Sequence, residues 1–474
     1  MGDALSGCMS GLKRAAEETL HPLSKKPKVE PKVAVFVMMQ LDWMSEDGTA
    51  LRHEAKLREQ LKGLVKAGVK GVMADIWWGV CEPAPGKYEF GAAKALCEML
   101  ASLDLKLQAV MSFHKCGGNV GDVVNIPIPE FALSVAKAQD RFYRSSTGVV
   151  AEDCLSLSAD AERIFAGPDG RMRTALQCYR DYMKAFVDSM GSHIGTTVCE
   201  LQVGMGPCGE LRYPSYMISN GWSYPGVGLL MASDSGMLRM LRSATGLTGP
   251  PPGAPTDQNA MCDSSPLFNG DAQQFADGPG RKFLEWYASA LLAHGEAILR
   301  EAAVALSGCT ADSEALVLSV KISGLHWHCM HPSRATEACA GYNCCSSPKA
   351  DFYSDAAAMF AKMSASIGRK VLFNFTCMEM NNHNGGMPEA LSAPEDLIGQ
   401  VRRACVRHGV PMAGENALEF DLATGEWAFN QMGKQMRAWS PGSDRMHGLT
   451  LLRLGDGFVR HSSLLQLQKF VMAN

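Results

Sequence analysis

The chain lacks the features that would tie it to a membrane, to nucleic acid or to an oxidising compartment. Across 474 residues no apolar run approaches the roughly 18 residues needed to span a bilayer. The N-terminus has no apolar core like that of a secretory signal peptide. Neither sign of charge dominates: 45 Lys and Arg stand against 49 Asp and Glu, a net charge of −4 at pH 7. That balance gives no whole-protein attraction to nucleic acid or to an anionic membrane surface. No internal repeat of fixed period appears. Cysteine is plentiful, with 16 residues, but without a secretion signal these read as reduced thiols, and the adjacent pair Cys344-Cys345 does not suggest a disulfide framework. What is present, 46% hydrophobic and 20% charged residues, describes a soluble globular protein with ample core. An α/β barrel with long insertions reaches this length without splitting into domains.

Residues 1–32 differ from the rest. They are poor in periodic apolar residues and are expected to form a disordered or weakly helical basic tail, leaving 33–474 as the folded domain. Lys13-Arg14 followed by Lys25-Lys26-Pro27-Lys28 resembles a bipartite nuclear import signal, carried by charge alone. The tail also holds Asp3, Glu17, Glu18 and Glu30, whereas transit peptides are usually poor in acidic residues. The expectation is therefore a cytoplasmic or nuclear protein that is not secreted, with a plastid left open.

From Val33 onward, short β-rich segments alternate with helical patterns. Candidate strands are Val33–Met39, Gly71–Asp75, Lys106–Ser112, Val198–Val203, Ala315–Ile322, Lys370–Phe375, Pro411–Ala413 and Gly448–Leu452. Helical stripes fill gaps such as His53–Ala67, where Leu57, Leu61, Leu64 and Val65 share a face. This alternation predicts an α/β protein, a parallel (β/α)8 TIM barrel rather than an open doubly wound sheet. The gaps 113–197 and 204–314 are far longer than a crossover helix needs, so they are expected to pack together as a lobe over one end of the barrel.

Chemistry in such barrels sits where the strands end at their C-termini, because the following loops converge there. Those positions hold Asp75 in DIWWG, His114 in SFHKCGGNVGD, Glu210 in VGMGPCGELRYPSY, Lys321 and His326 in KISGLHW, Thr376 in NFTCMEM, Glu415 in GENAL and Arg453 in LLRLGD. Two carboxylates, aromatic pairs such as Trp77-Trp78 and several polar donors suit a carbohydrate, whose rings offer flat C–H faces to aromatics and hydroxyls to charged groups. Glycoside hydrolysis requires two carboxyl groups, one to protonate the leaving oxygen and one to activate water or attack carbon. Glu210 and Glu415 follow strands four and seven, on opposite sides of the barrel mouth.

The stretches GVMADIWWG, LQAVMSFHKCGGNVGDVVNIPIP, VGMGPCGELRYPSY, GWSYPGVG, VKISGLHW, LFNFTCMEM, AGENAL and LLRLGD, in this order, resemble the β-amylases of glycoside hydrolase family 14. The resemblance implies a (β/α)8 barrel with a lobe of long loops after strands 3, 4 and 5, and an inverting, exo-acting hydrolase. Such an enzyme releases β-maltose from the non-reducing ends of α-1,4-glucans such as starch and maltodextrin. It implies Glu210 as general acid and Glu415 as general base. The general acid must carry a proton while the base stays ionised. It further implies that His114 and Asp122 belong to a loop that closes over glucan, and that Asp75 holds the terminal glucose. Lys321 and His326 then contact reducing-side glucoses, Thr376 lies on an inner mobile loop, and Asn416, Ala417 and Arg453 contact substrate. No cofactor, metal, nucleic-acid or membrane partner is implied.

The sequence departs from the family pattern in places. Gln40 and Asp42 replace a Pro and a small residue in the first strand segment. His328 stands where a tryptophan is common and Cys329 where tyrosine is, which bears on the outer glucose contacts. His326, His328, Cys329 and His331 fit no structural zinc spacing. Asn374-Phe375-Thr376 is formally a glycosylation sequon but lies on a barrel strand. The alternative function is a non-catalytic, β-amylase-like regulatory protein that binds glucan or maltose, possible in the nucleus given the tail. Intact carboxylates and loops, and no visible DNA-binding module, favour the enzyme.

Overall fold

The structure, a computed structural model, describes residues 33–384, 387–438 and 446–474. The expected basic tail and its import-signal pattern lie outside the described residues. Eight short apolar segments pair side by side in parallel: β1 (Ala34–Met38), β2 (Gly71–Trp77), β3 (Lys106–Ser112), β4 (Val198–Val203), β5 (Val317–Ile322), β6 (Val371–Phe375), β7 (Met412–Glu415) and β8 (Gly448–Leu451). The sheet closes where β1 meets β8, with Ala34 opposite Gly448 and Val37 opposite Leu451. These bounds match the expected strands to within a few residues. Every residue of β2 is buried, because one face of the strand fills the barrel and the other lies under the helices. A parallel strand covered on both sides reads as a continuous apolar run.

Helices α1 (Glu54–Ala67), α2 (Gly91–Ser102), α3 (Ala175–Met190), α4 (Gly278–Ala305), α5 (Phe352–Ile367), α6 (Pro394–His408), α7 (Glu426–Arg437) and α8 (His461–Ala473) lie between or after the strands. Their ends carry local signals. Gly68 takes the left-handed conformation that stops α1, and Thr174 with Gln177 forms a capping box at the start of α3.

The excursions after β3, β4 and β5 interlock. Ser156 and Ser158 hydroxyls both donate to Asp234, at 3.1 and 2.9 Å, and Asp140 accepts from the Ser235 N–H. The Trp327 indole donates to the Gly226 carbonyl. From α4, His294 reaches Asp160 at 2.6 Å and the Met205 carbonyl at 2.9 Å, fastening both long excursions to the barrel wall. Burial opposes charge on His294, but Asp160 offsets it and the imidazole pKa is raised.

The barrel interior is polar toward its middle. Gln108 donates to buried Glu200 at 2.7 Å and accepts from Thr450 at 3.0 Å. Burial pushes the Glu200 carboxyl pKa up, which favours its neutral form there.

Gly204, the first residue beyond β4, lies so close to β3 that an added Cβ would sit 2.1 Å from the Met111 carbonyl oxygen. Gly204→Ala must therefore push the strand ends apart, and overpacking of this kind costs about 1–3 kcal/mol. Denaturant unfolding should show that loss, and an unchanged midpoint would mean that the two strands separate freely here.

Candidate functional site

Glu210 owes its position to a short reversal of the chain. After Gly206 the chain makes a 3-10 turn, Pro207–Gly209, in which Cys208 (φ 55°) and Gly209 (φ 74°) are both left-handed. That conformation costs nothing at glycine and is strained at cysteine. The turn brings Glu210 alongside Lys321 at the end of β5, where the Leu211 N–H donates to the Lys321 carbonyl at 2.9 Å. The Glu210 carboxylate accepts from the Arg212 guanidinium at 2.6 Å. Arg212 is fully buried, with its guanidinium carbon 4.4 Å from the centre of the Tyr216 ring. Burial works against its charge, but Tyr216 and Glu210 more than compensate and hold its pKa well above the ordinary value.

Glu415 is the last residue of β7 and is 1% exposed. One carboxylate oxygen accepts from the Lys321 ammonium at 2.8 Å, and the other accepts from the Asn374 amide on β6. Lys321 is itself buried. Burial disfavours its charge, whereas Glu415 first, then Glu210 and Asp75, favour it, and the net shift is upward.

The remaining expected residues surround this pair. Asp75, near the end of β2, accepts from the Ser112 hydroxyl at 2.7 Å. Its pKa is raised by burial, with Arg453, Ser112 and Lys321 pulling the other way. The His114 ring lies edge-on to Trp77 at 5.4 Å between centroids. Burial, then the charges of Lys321 and Arg212, push its pKa down to about 3. Asp122 accepts from the Gly117 and Asn119 N–H groups at 2.8 and 3.0 Å, so it folds its own loop. His326 bonds through Nδ1 to the Ser392 hydroxyl at 2.7 Å, and burial lowers its pKa to about 4. Thr376 accepts from the Gly324 N–H at 2.7 Å. Asn416 accepts from the Leu452 N–H at 2.8 Å. Arg453 donates to the Met39 carbonyl at 3.0 Å.

These ten expected residues and the eleventh, Ala417, line one cavity of about 600 Å³. Its walls also carry Trp77, Tyr216, Trp222, Tyr224 and Trp327. The size and the mix of aromatic faces with converging charges suit a chain of a few sugar rings.

Three residues of the site were not picked out by reading strand ends. Arg212 lies two residues past Glu210 and meets it through a tight local turn, in which its N–H donates to the Glu210 carbonyl at 2.9 Å. Asn374 read as a discounted sequon, yet it is buried and bonded to Glu415. Glu379 accepts from the Ala417 N–H at 2.9 and 3.0 Å and from the Leu418 N–H at 2.9 Å. It ties the loop after β6 to the loop after β7.

His328 and Cys329 behave differently from what their place beside His326 suggests. The backbone turns at His328 (φ 57°), whose ring is buried and bonded to the Pro225 carbonyl at 2.8 Å. Neither residue lines the cavity. Gln40 and Asp42 are likewise outside it, and Asp42 pairs with Arg52 at 2.8 Å. Among the described residues no group of three or more His, Cys, Asp or Glu side chains is arranged to hold a metal ion, and no helix is long and apolar enough to cross a membrane.

Comparison with known proteins gives a consistent result. The model of glycosyl hydrolase family 14 matches residues 36–473. Beta-amylase 2, chloroplastic, of Oryza sativa subsp. japonica is 38% identical, with 99% of this chain and 82% of the relative aligned. Beta-amylase 1, chloroplastic, of the same plant is 41% identical over 89% of this chain and 77% of the relative. The crystal structure of the catalytic domain of beta-amylase from Paenibacillus polymyxa superposes with a TM-score of 0.71 at 25% identity, covering 93% of this chain and 98% of that one. The two chloroplastic relatives overturn the expectation of a cytoplasmic or nuclear protein and point to a plastid. The acidic residues of the first 32 positions, on which that expectation leaned, are only a compositional signal.

Two outcomes test this electrostatic arrangement. Arg212→Met leaves Glu210 buried without its cation and should lower the unfolding free energy by about 3–5 kcal/mol; a loss below about 1 kcal/mol would show that the pair is dispensable to the fold. His326 binds its proton far less readily when folded than when unfolded. The unfolded chain therefore takes up more protons below the ordinary histidine value, and the stability present at neutral pH is lost as pH falls from about 6.5 towards about 4. His326→Asn should reduce the difference in unfolding free energy between pH 7 and pH 4.5, and an unchanged difference would exclude His326 as a source of that acid sensitivity.

Proposed function

The chain belongs to glycosyl hydrolase family 14 and is an enzyme of the β-amylase family, and on that premise we propose that it removes β-maltose from the non-reducing ends of α-1,4-glucans with inversion of configuration. Glu210 acts as the general acid on the glycosidic oxygen, and Glu415 as the general base that draws a proton from the attacking water. The observation that carries this reading is the placement of both carboxylates on one cavity, linked through Lys321. The ammonium bonds Glu415 at 2.8 Å and feels the charge of Glu210, whose backbone pairs with that of Lys321 at the end of β5.

An inverting displacement needs the base on the face of the sugar opposite the leaving group, with room for one water between. Attachment to strands four and seven, on opposite sides of the barrel mouth, supports that division of roles. Lys321 and Asn374 fix the two oxygens of Glu415, so the base cannot rotate away from its water. Glu210 must carry a proton when the bond breaks; Arg212 Nε bonds one of its carboxyl oxygens at 2.6 Å, which leaves the other to hold that proton.

Asp75, deep in the cavity beside Trp77, takes the hydroxyls of the terminal glucose, which confines cleavage to chain ends. His114 and Asp122 belong to a loop that closes over the substrate and excludes water other than the nucleophile. Lys321, His326 and Thr376 contact the reducing-side glucoses, and Asn416, Ala417 and Arg453 complete the substrate contacts. The chloroplastic relatives support a plastid as the compartment of the proposed reaction.

NMR of the products released from soluble starch provides the test. Maltose should appear first as the β-anomer, and Glu210→Gln and Glu415→Gln should each lower kcat by about 10²–10⁴-fold or more. Wild-type protein that releases no maltose, or that is indistinguishable from Glu415→Gln, would leave a glucan-binding protein without catalysis. Initial release of the α-anomer would refute inversion.

A further inference from the structure

The loop after β7 does more than carry Asn416 and Ala417 into the cavity. It continues as Leu418-Glu419-Phe420 and returns at Trp427, the second residue of α7, and all four of these residues line the same cavity. Trp427 is 50% exposed, whereas Trp77 at the depth of the cavity is 1% exposed. A half-exposed indole at the lip of a polar cleft leaves a large apolar face in water, and its N–H has no acceptor among the described residues. The ring is nonetheless held in place. Phe420 lies beside it with centroids 6.1 Å apart, and Phe420 is backed in turn by Phe429 at 5.5 Å.

The turn between them is built for this arrangement. A Cβ at Gly425 would meet the Phe420 ring at 2.3 Å and the Asp421 carbonyl at 2.7 Å. Glycine at that position is what lets Phe420 lie flat against the chain leading to Trp427.

We infer that Phe420 and Trp427 form an outer binding platform for glucose residues of the glucan chain beyond those held in the deep cavity. The inference rests on the catalytic reading above for its occupant. If the chain end is bound deep, beside Asp75 and Trp77, the rest of the chain leaves through the mouth and passes over the lip where Trp427 stands. Aromatic faces pack against the C–H faces of sugar rings, and an indole N–H can donate to a hydroxyl. The chemistry suits an extended α-1,4-glucan, and the platform favours long chains over short ones.

The test compares kcat/KM for soluble starch with kcat/KM for maltotetraose. Trp427→Ala should lower the ratio of the two about threefold to tenfold through KM of the long substrate, the size of one aromatic contact. Trp427→Phe should retain most of the ratio. An unchanged ratio, or an equal fall for both substrates, would overturn the platform and assign Trp427 a structural role. If wild-type protein releases no maltose, it is the catalytic reading that fails. Isothermal titration with maltoheptaose and maltotetraose then decides the platform, which stands only if Trp427→Ala abolishes a preference for the longer oligosaccharide.

Discussion

Charge burial governs this site. Asp75, Glu210, Lys321 and Glu415 all lie largely out of water at the strand ends, and none of them could be placed there alone, since an isolated buried charge costs several kcal/mol. Lys321 makes the set possible. Its ammonium bonds Glu415 directly, and the charges of Glu210 and Asp75 also act on it. Arg212 performs the same service for Glu210 from the other side. The barrel supplies the geometry, because the ends of β2, β5 and β7 bring Asp75, Lys321 and Glu415 to one point, and the short turn beyond β4 adds Glu210. The long excursions supply the dry surroundings that give each charge its strength.

Most of the barrel could be read from the chain. Its strands are short apolar runs set between helical stripes, and burial on both faces makes such runs continuous. Eleven candidate positions came together in one cavity because a parallel barrel sends every strand end to the same mouth, so that linear order determines spatial convergence. The reading failed where a side chain's direction depends on a single backbone angle. Glu210 turns toward Lys321 only after the left-handed Cys208 and Gly209. His328 sits next to a cavity residue in sequence but is turned away by its own positive φ. Asn374 was weighed as a modification signal, and its real partner, Glu415, is 41 residues away.

Compartment was the reading that the relatives corrected. A short basic pattern and a few acidic residues carry little information about an address read by a receptor.

Glu379 has a mechanical consequence. Its carboxylate holds the N–H groups of Ala417 and Leu418, and the Gln431 amide on α7 donates to the carbonyl of the next residue, Met380, at 3.0 Å. The loop bearing Thr376 is thus clamped to the segment immediately after Glu415 and to the helix that begins at the outer lip. A displacement of the inner loop by an arriving sugar would pull on these hydrogen bonds, and so on the backbone beside the proposed base and on the rim.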